Sequence, residues 1–223
     1  MLTERSDSYI IQNIILMEDV AMESSNSDKR LEKGDETYTR ILTSAIDLIS
    51  ENGISGISAS KLSTLSNVSK SSIFYHFKTT QDIPEAVLKL IFSKLITPID
   101  ASKNETLVQF LSDLGSSVID ISDEYIKVYK SFFSFYHESV FNETYQKLMG
   151  DFLTTSKDSL SDQLKKLSKK PLSDKEANTL SALIITTLDG IGMHILIGGE
   201  RDEYLEAWEL QVQFICGMLN NSL

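Results

Sequence analysis

Apolar residues return every three or four positions along most of this chain, and the breaks between such stretches are short and polar, a pattern that predicts helix after helix. From Asp35 to Asn52 the residues Ile41, Leu42, Ala45, Ile46, Leu48 and Ile49 recur at helical spacing, and Gly53 stands where a helix ends in a left-handed residue. After the loop Gly53-Ile54-Ser55-Gly56, Ser58 is a good cap for a second helix, Ala59 to Ser66, with Leu62 and Leu65 facing inward. Asn67 makes the next turn, because asparagine tolerates the left-handed conformation better than most residues. Ser69 then caps a third helix reaching toward Lys78. Its Ile73 and Phe77, four apart, face a core while Ser71, Ser72, Tyr75 and Lys78 point the other way. A helix of two turns cannot hold itself in water, so it needs the two before it as a scaffold.

A fourth helix, Thr80 to Leu95, carries Ile83, Val87, Leu90, Ile91 and Leu95 on one stripe and ends at Thr97-Pro98. Pro84 lies in or just past its first turn, where proline costs least. Five more helices follow, at about Asn104 to Ile121, Glu124 to Val140, Glu143 to Lys169, Ser173 to Ile197 and Glu203 to Asn220. Aromatic and branched residues go all round the wheel between Tyr125 and Phe141, which predicts a central helix buried on most sides. Ala182 to Ile197 is too apolar for one wet side, and Leu205, Trp208, Val212, Ile215 and Leu219 give the final helix a matching stripe.

Residues 39 to 98 resemble the N-terminal domain of the TetR family of bacterial transcriptional regulators. The likeness is carried by Thr39-Arg40-Ile41-Leu42, Ala45, Glu51-Asn52-Gly53, Leu62, Val68-Ser69-Lys70 and Ile73-Phe74-Tyr75-His76-Phe77-Lys78, in order and without insertion. The chain departs from the family at Ser63-x-x-Ser66-Asn67, where Ala-x-x-Ala-Gly is common, and at Pro84. The resemblance implies an all-α fold: a three-helix helix-turn-helix domain joined by a fourth helix to a C-terminal helical bundle for ligand binding and dimerisation, about nine helices in all. It divides the chain into an extension at 1–34, a DNA-binding domain with its linker helix at 35–98, and an effector and dimerisation domain at 99–223.

Composition changes this picture in three places. The formal charge of -11 looks wrong for a DNA binder, yet residues 35 to 98 carry six Lys or Arg against six Asp or Glu, so the acid lies outside the motif. Local sign governs phosphate contact. The single Cys216, inside an apolar run, argues for a buried thiol in a reducing cytoplasm rather than a disulfide framework, with a redox-sensing thiol as the alternative. No apolar run is read as approaching the eighteen or so residues that span a membrane. The first 34 residues, with apolar stretches at Tyr9-Ile10-Ile11 and Ile14 to Met17, are expected to form a poorly ordered arm. A docked helix and a start at Met17 or Met22 are the other readings.

His76, His137 and His194 have no metal-binding spacing, and neither a phosphate loop nor a nucleophile elbow is present, so no catalytic residue, metal or cofactor is assigned. The resemblance implies a ligand-responsive regulator, a repressor that binds a palindromic operator as a homodimer and is released by a small-molecule effector. An activator of the same fold is the alternative, and an interaction protein or enzyme on this fold ranks below both. Ser71, Ser72 and Tyr75 would read base edges. Ser58, Ser69, Lys70, His76 and Lys78 would cap, position and hold phosphates. The effector pocket is expected around Phe110, Tyr129, Phe132, Phe133, Tyr136 and His137, with Ser134 as a further polar candidate, unless these aromatics merely fill the core. A dimer surface is expected at Leu183, Thr187, Gly190, Met193, His194, Ile197, Trp208, Val212 and Ile215, a buried monomer core being the other reading.

Overall fold

The computed structural model describes residues 26–96, 99 and 104–219, and among these residues it contains nine α-helices, one short 3-10 turn and no strand. The chain divides into two compact units between Leu95 and Ile96.

The first unit holds α1 (Asn26–Asn52), the 3-10 turn Ile54–Gly56, α2 (Ala59–Ser66), α3 (Lys70–His76) and α4 (Asp82–Ile96). The expected arm is therefore helical from Asn26 onward, because α1 starts well before Asp35. The apolar stretches between Tyr9 and Met17 and the alternative starts at Met17 and Met22 lie outside the described residues. Ile41, Leu42, Ala45, Ile46, Leu48 and Ile49 are all buried, as their spacing requires. Gly53 closes α1 at φ 68°, its N–H donating to the Ile49 carbonyl at 2.9 Å. Leu62, Val68, Ile73 and Phe77 complete this core with Ile83, Val87, Leu88 and Ile91 of α4. Leu65, expected inside, is half exposed. In a helix this short the single buried stripe passes through Leu62 and Ser66. Pro84 is buried in the first turn of α4, where its missing N–H has no helical partner to lose.

The second unit holds α5 (Leu107–Ile119), α6 (Asp123–Ser139), α7 (Glu143–Leu167), α8 (Asp174–Leu196) and α9 (Arg201–Met218). Side chains written just ahead of the apolar runs set four of the starts. Thr106, Ser122 and Asn142 each accept a backbone N–H of the first turn. Ser173 forms a reciprocal capping box with Glu176. The helix α8 packs on α5, α6 and α7, while α9 packs on α5. The core runs through Phe110, Leu111, Leu114, Leu160, Leu164, Ile184, Leu188 and Trp208. Trp208 lies against Gly115, where any Cβ would overlap the indole, and its Nε1–H donates to the Leu111 carbonyl at 2.9 Å.

Three sequence expectations are corrected here. Trp208, Val212 and Ile215 face inward, at 1%, 4% and 3% exposure, so the stripe expected to meet a partner is spent inside the subunit. The open side of α9 carries Leu210, Phe214 and Met218 instead. The helix α6 is not buried on most sides, since its buried stripe is Val128, Ser131, Phe132 and Phe135, while His137 and the following Val140 and Phe141 are exposed. Finally, α8 is long and apolar enough to cross a membrane by length and composition, contrary to the reading of the bare sequence. Its apolar side is occupied by the core of the second unit, which accounts for the composition without a bilayer.

Candidate nucleic-acid interface

The short helix α3 owes its position to its neighbours. Ser58 accepts the Lys61 N–H at 3.3 Å to start α2, and Asn67, at φ 52° and ψ 41°, is the left-handed hinge that turns the chain. Ser69 then accepts the Ser72 N–H at 3.1 Å to start α3. Ile73 and Phe77 anchor one side of α3 in the core. Two residues of α1 finish the support. Tyr38 stacks on Phe77 with ring centroids 5.2 Å apart and leans on His76 at 5.9 Å, and the Arg40 guanidinium donates to the Asn67 carbonyl at 3.4 Å. Sequence reasoning missed both supports, because they join positions far apart in the chain. Only the family-like Thr39-Arg40 pair hinted at the second.

Lys70, Ser71, Tyr75 and Lys78 stand on the open side, with Ser72 and His76 half-buried at its edges. Tyr75 is 84% exposed, an unusual amount of ring to leave in water, and its edge meets His76 at 5.3 Å. Phe74 is also 48% exposed, adding apolar surface of the kind that meets a thymine methyl. The Ser69 hydroxyl is engaged twice, with the Ser72 N–H and with the Ser71 hydroxyl at 2.9 Å, so its work is to hold the helix start. Ser58 accepts one N–H, which leaves its own O–H free to donate to an anion.

The expected pocket residues separate. Phe110 is packed in the core at 1% exposure, and Phe132 is buried with its ring edge-on to Phe133, Tyr136 and, from α7, Phe152. Phe133 and Tyr136 are half-buried. His137 is turned out to the surface beside Glu138 and the Phe141 ring, and the Ser134 hydroxyl donates to the Lys130 carbonyl of its own helix, so neither fits a pocket wall. A group that sequence reasoning passed over lies here. Asp189 of α8 is partly buried, and desolvation pushes its carboxyl up to about 6. Tyr129 and Tyr136 are both held above the usual phenol range, by burial first and by the charge of Asp189 second. The signal was available, because Asp189 is the only Asp, Glu, Lys or Arg between Glu176 and Glu200.

Leu183, Met193 and Ile197 are exposed along α8, and Leu210, Phe214 and Met218 along α9. Thr187 accepts the Gln211 amide at 3.2 Å, and His194 Nδ1 shares a 2.8 Å hydrogen bond with the Tyr204 hydroxyl, so polar side chains tie the two helices together. Nothing lies within 4 Å of where a Cβ on Gly190 would stand.

Residues 41–87 match the family model described as bacterial regulatory proteins, tetR family. The biofilm operon icaADBC HTH-type negative transcriptional regulator IcaR of Staphylococcus aureus strain Newman is 31% identical over 96 residues, which cover 40% of this chain and 50% of that protein. The chain thus spans about half the length of the curated relatives it matches. Solved structures extend the likeness in fold. A transcriptional regulator from Rhodococcus sp. Rha1 superposes with a TM-score of 0.71 at 17% identity, covering 83% of this chain and 98% of its own. A TerR/AcrR family regulator from Aquifex aeolicus VF5 gives 0.64 at 20%, covering 80% and 99%. A regulator from Saccharomonospora viridis in complex with choline gives 0.64 at 18%, covering 82% and 96%. The first unit is thus matched in sequence by the tetR-family model, and the nine described helices share the fold of these transcriptional regulators.

Proposed function

We propose that this chain is a DNA-binding repressor that grips a palindromic operator as a homodimer and leaves it when a small-molecule effector binds the second unit. The observation that carries the reading is the open side of α3, where the 84% exposed Tyr75 stands with Ser71 between Lys70 and Lys78 on a helix locked from behind by Tyr38 and Arg40. One α3 from each subunit enters a major groove, the half-sites lying about one DNA turn, roughly 34 to 36 Å, apart. Ser71, Ser72, Tyr75 and the Phe74 edge meet bases. Ser58, Lys70, His76 and Lys78 meet phosphates, and the small hydroxyls leave much of the specificity to spacing and DNA shape. Repression is supported by the likeness to IcaR, a negative transcriptional regulator. Dimerisation through α8 and α9 is supported by the unpartnered stripe of Leu183, Met193, Ile197, Leu210, Phe214 and Met218, with Gly190 open between its residues for close approach of a second backbone. An effector site in the second unit is supported by the choline complex of the Saccharomonospora viridis regulator. Release requires that the effector favour the DNA-free state by its coupling energy, typically about 1 to 3 kcal/mol.

The test selects operators from a random duplex pool with the full chain and measures affinity by fluorescence anisotropy. A two-fold symmetric consensus is expected. Tyr75→Ala with Lys78→Ala should abolish binding while sedimentation still reports a dimer, and unaltered binding would remove α3 as the reading helix.

A further inference from the structure

We propose that the second unit binds a small organic cation, a quaternary or protonated amine, with Asp189 as its counter-ion and the rings of Tyr129 and Tyr136 against it. The inference rests on the effector reading above and names the chemical class of that ligand. Asp189 sits in a helix long and apolar enough to cross a membrane, and no ion pair or hydrogen bond joins it to any cation among the described residues. Burying a carboxylate without a partner costs stability, and a fold that keeps one has a compensating use for the charge.

The surroundings match one class of guest. Tyr129 lies against the α8 backbone at Gly192, its ring 3.6 Å from where a Cβ would stand, and Gly192 is one helical turn beyond Asp189. Tyr136 is two turns along α6 from Tyr129 on the same side, with its ring 5.8 Å from that of Phe132. Phe132 in turn meets Phe152 of α7 at 5.9 Å, and one turn past Phe152 the Ser156 hydroxyl is buried with no hydrogen-bond partner. A carboxylate, two phenol rings and an orphan hydroxyl thus come from three mutually packed helices. Electron-rich ring faces and a desolvated negative charge attract an ammonium group together, and the unpartnered Ser156 oxygen can serve a polar tail on it. An anion would meet the carboxylate head-on. A metal ion is poorly served, because among the described residues no three His, Cys, Asp or Glu gather, and a hard cation needs several oxygen ligands.

The test is isothermal titration of the full chain with tetramethylammonium, choline and benzyltrimethylammonium, and with the uncharged carbon analogue of choline as the shape control. At least one cation should bind, the uncharged analogue at least tenfold more weakly than choline. Asp189→Asn should cost the cation tenfold or more, and Tyr136→Leu, which keeps the charge, a smaller factor. The proposal is overturned if no cation of the three binds, if the analogue binds as well as choline, or if Asp189→Asn binds unchanged. Should Asp189→Asn fail to fold, the comparison of choline with its analogue on the parent chain decides. Operator affinity is measured on the same ligand-free preparation. Loss of DNA binding there sinks the regulator reading and leaves the cation result standing, whereas DNA binding without cation discrimination does the reverse.

Discussion

Replacing Asp189 by asparagine should make the unliganded protein more stable at neutral pH. The carboxyl is pushed up to about 6 from 3.8 by desolvation alone. A carboxyl raised on folding contributes stability that is full below its unfolded pKa and is lost as pH rises through the folded one. About two pKa units at 1.36 kcal/mol each give a cost near 3 kcal/mol above pH 7, and partial exposure of the side chain trims it to about 1–3 kcal/mol. The asparagine variant escapes this cost, so its advantage should be largest at pH 8 and fall to about half by pH 5, where the folded carboxyl is mostly protonated. Lower pH is unhelpful, because the chain has a pI of about 4.7. The assay is urea unfolding of both forms at pH 8 and pH 5 and one protein concentration, followed through Trp208. That residue is the only tryptophan and is packed in the core of the second unit, so its emission reports the unit that holds Asp189. A variant less stable than its parent at pH 8, or an advantage indifferent to pH, would refute the claim that Asp189 is a desolvated charge.

Gly115→Ala should destabilise the second unit by several kcal/mol, about 2–4, because the new methyl has to displace the Trp208 ring; matched urea curves would show it. Asn67→Val should cost about 1–2 kcal/mol in the first unit and weaken operator binding, because a β-branched residue resists φ 52°, while Asn67→Gly should be tolerated; thermal melts compare the two. Phe214→Glu should shift the chain from dimer to monomer in sedimentation with helicity unchanged, since the ring is 69% exposed in the subunit and makes no core contact there to lose.

The parts of the fold that were legible in the sequence are those whose cause is local. Ile73 and Phe77 announce a buried stripe by their spacing, Asn67 a left-handed turn by its chemistry, and Ser58, Ser69 and Ser173 helix starts by their place before apolar runs. Periodicity identifies a stripe and cannot say what it faces. By spacing alone Trp208, Val212 and Ile215 suit a partner, yet their own subunit takes them and leaves Leu210, Phe214 and Met218 outside. Counting aromatics on α6 failed for a related reason, because tyrosine and histidine can end in water while their helix buries one narrow side. Tyr38 has no local signal at all, since its partners lie two helices away. Asp189 had one, a lone charge in an apolar helix, whose meaning depends on the rings that α6 brings against it.

The hydrogen bond from Trp208 to the Leu111 carbonyl joins residues 97 apart, whereas Arg40 reaches Asn67 across 27. During synthesis the first unit can therefore close as soon as α4 has emerged, but the second stays open until α9 is made and Trp208 can settle onto Gly115. Through that interval α5 lacks the helix that packs on it, and the core it shares with α8 stays incomplete. Aggregation of the nascent protein, and the need for a chaperone, should accordingly concentrate in the delay between making α8 and making α9, so that slowing translation there harms the yield of this protein more than slowing it anywhere in the first unit.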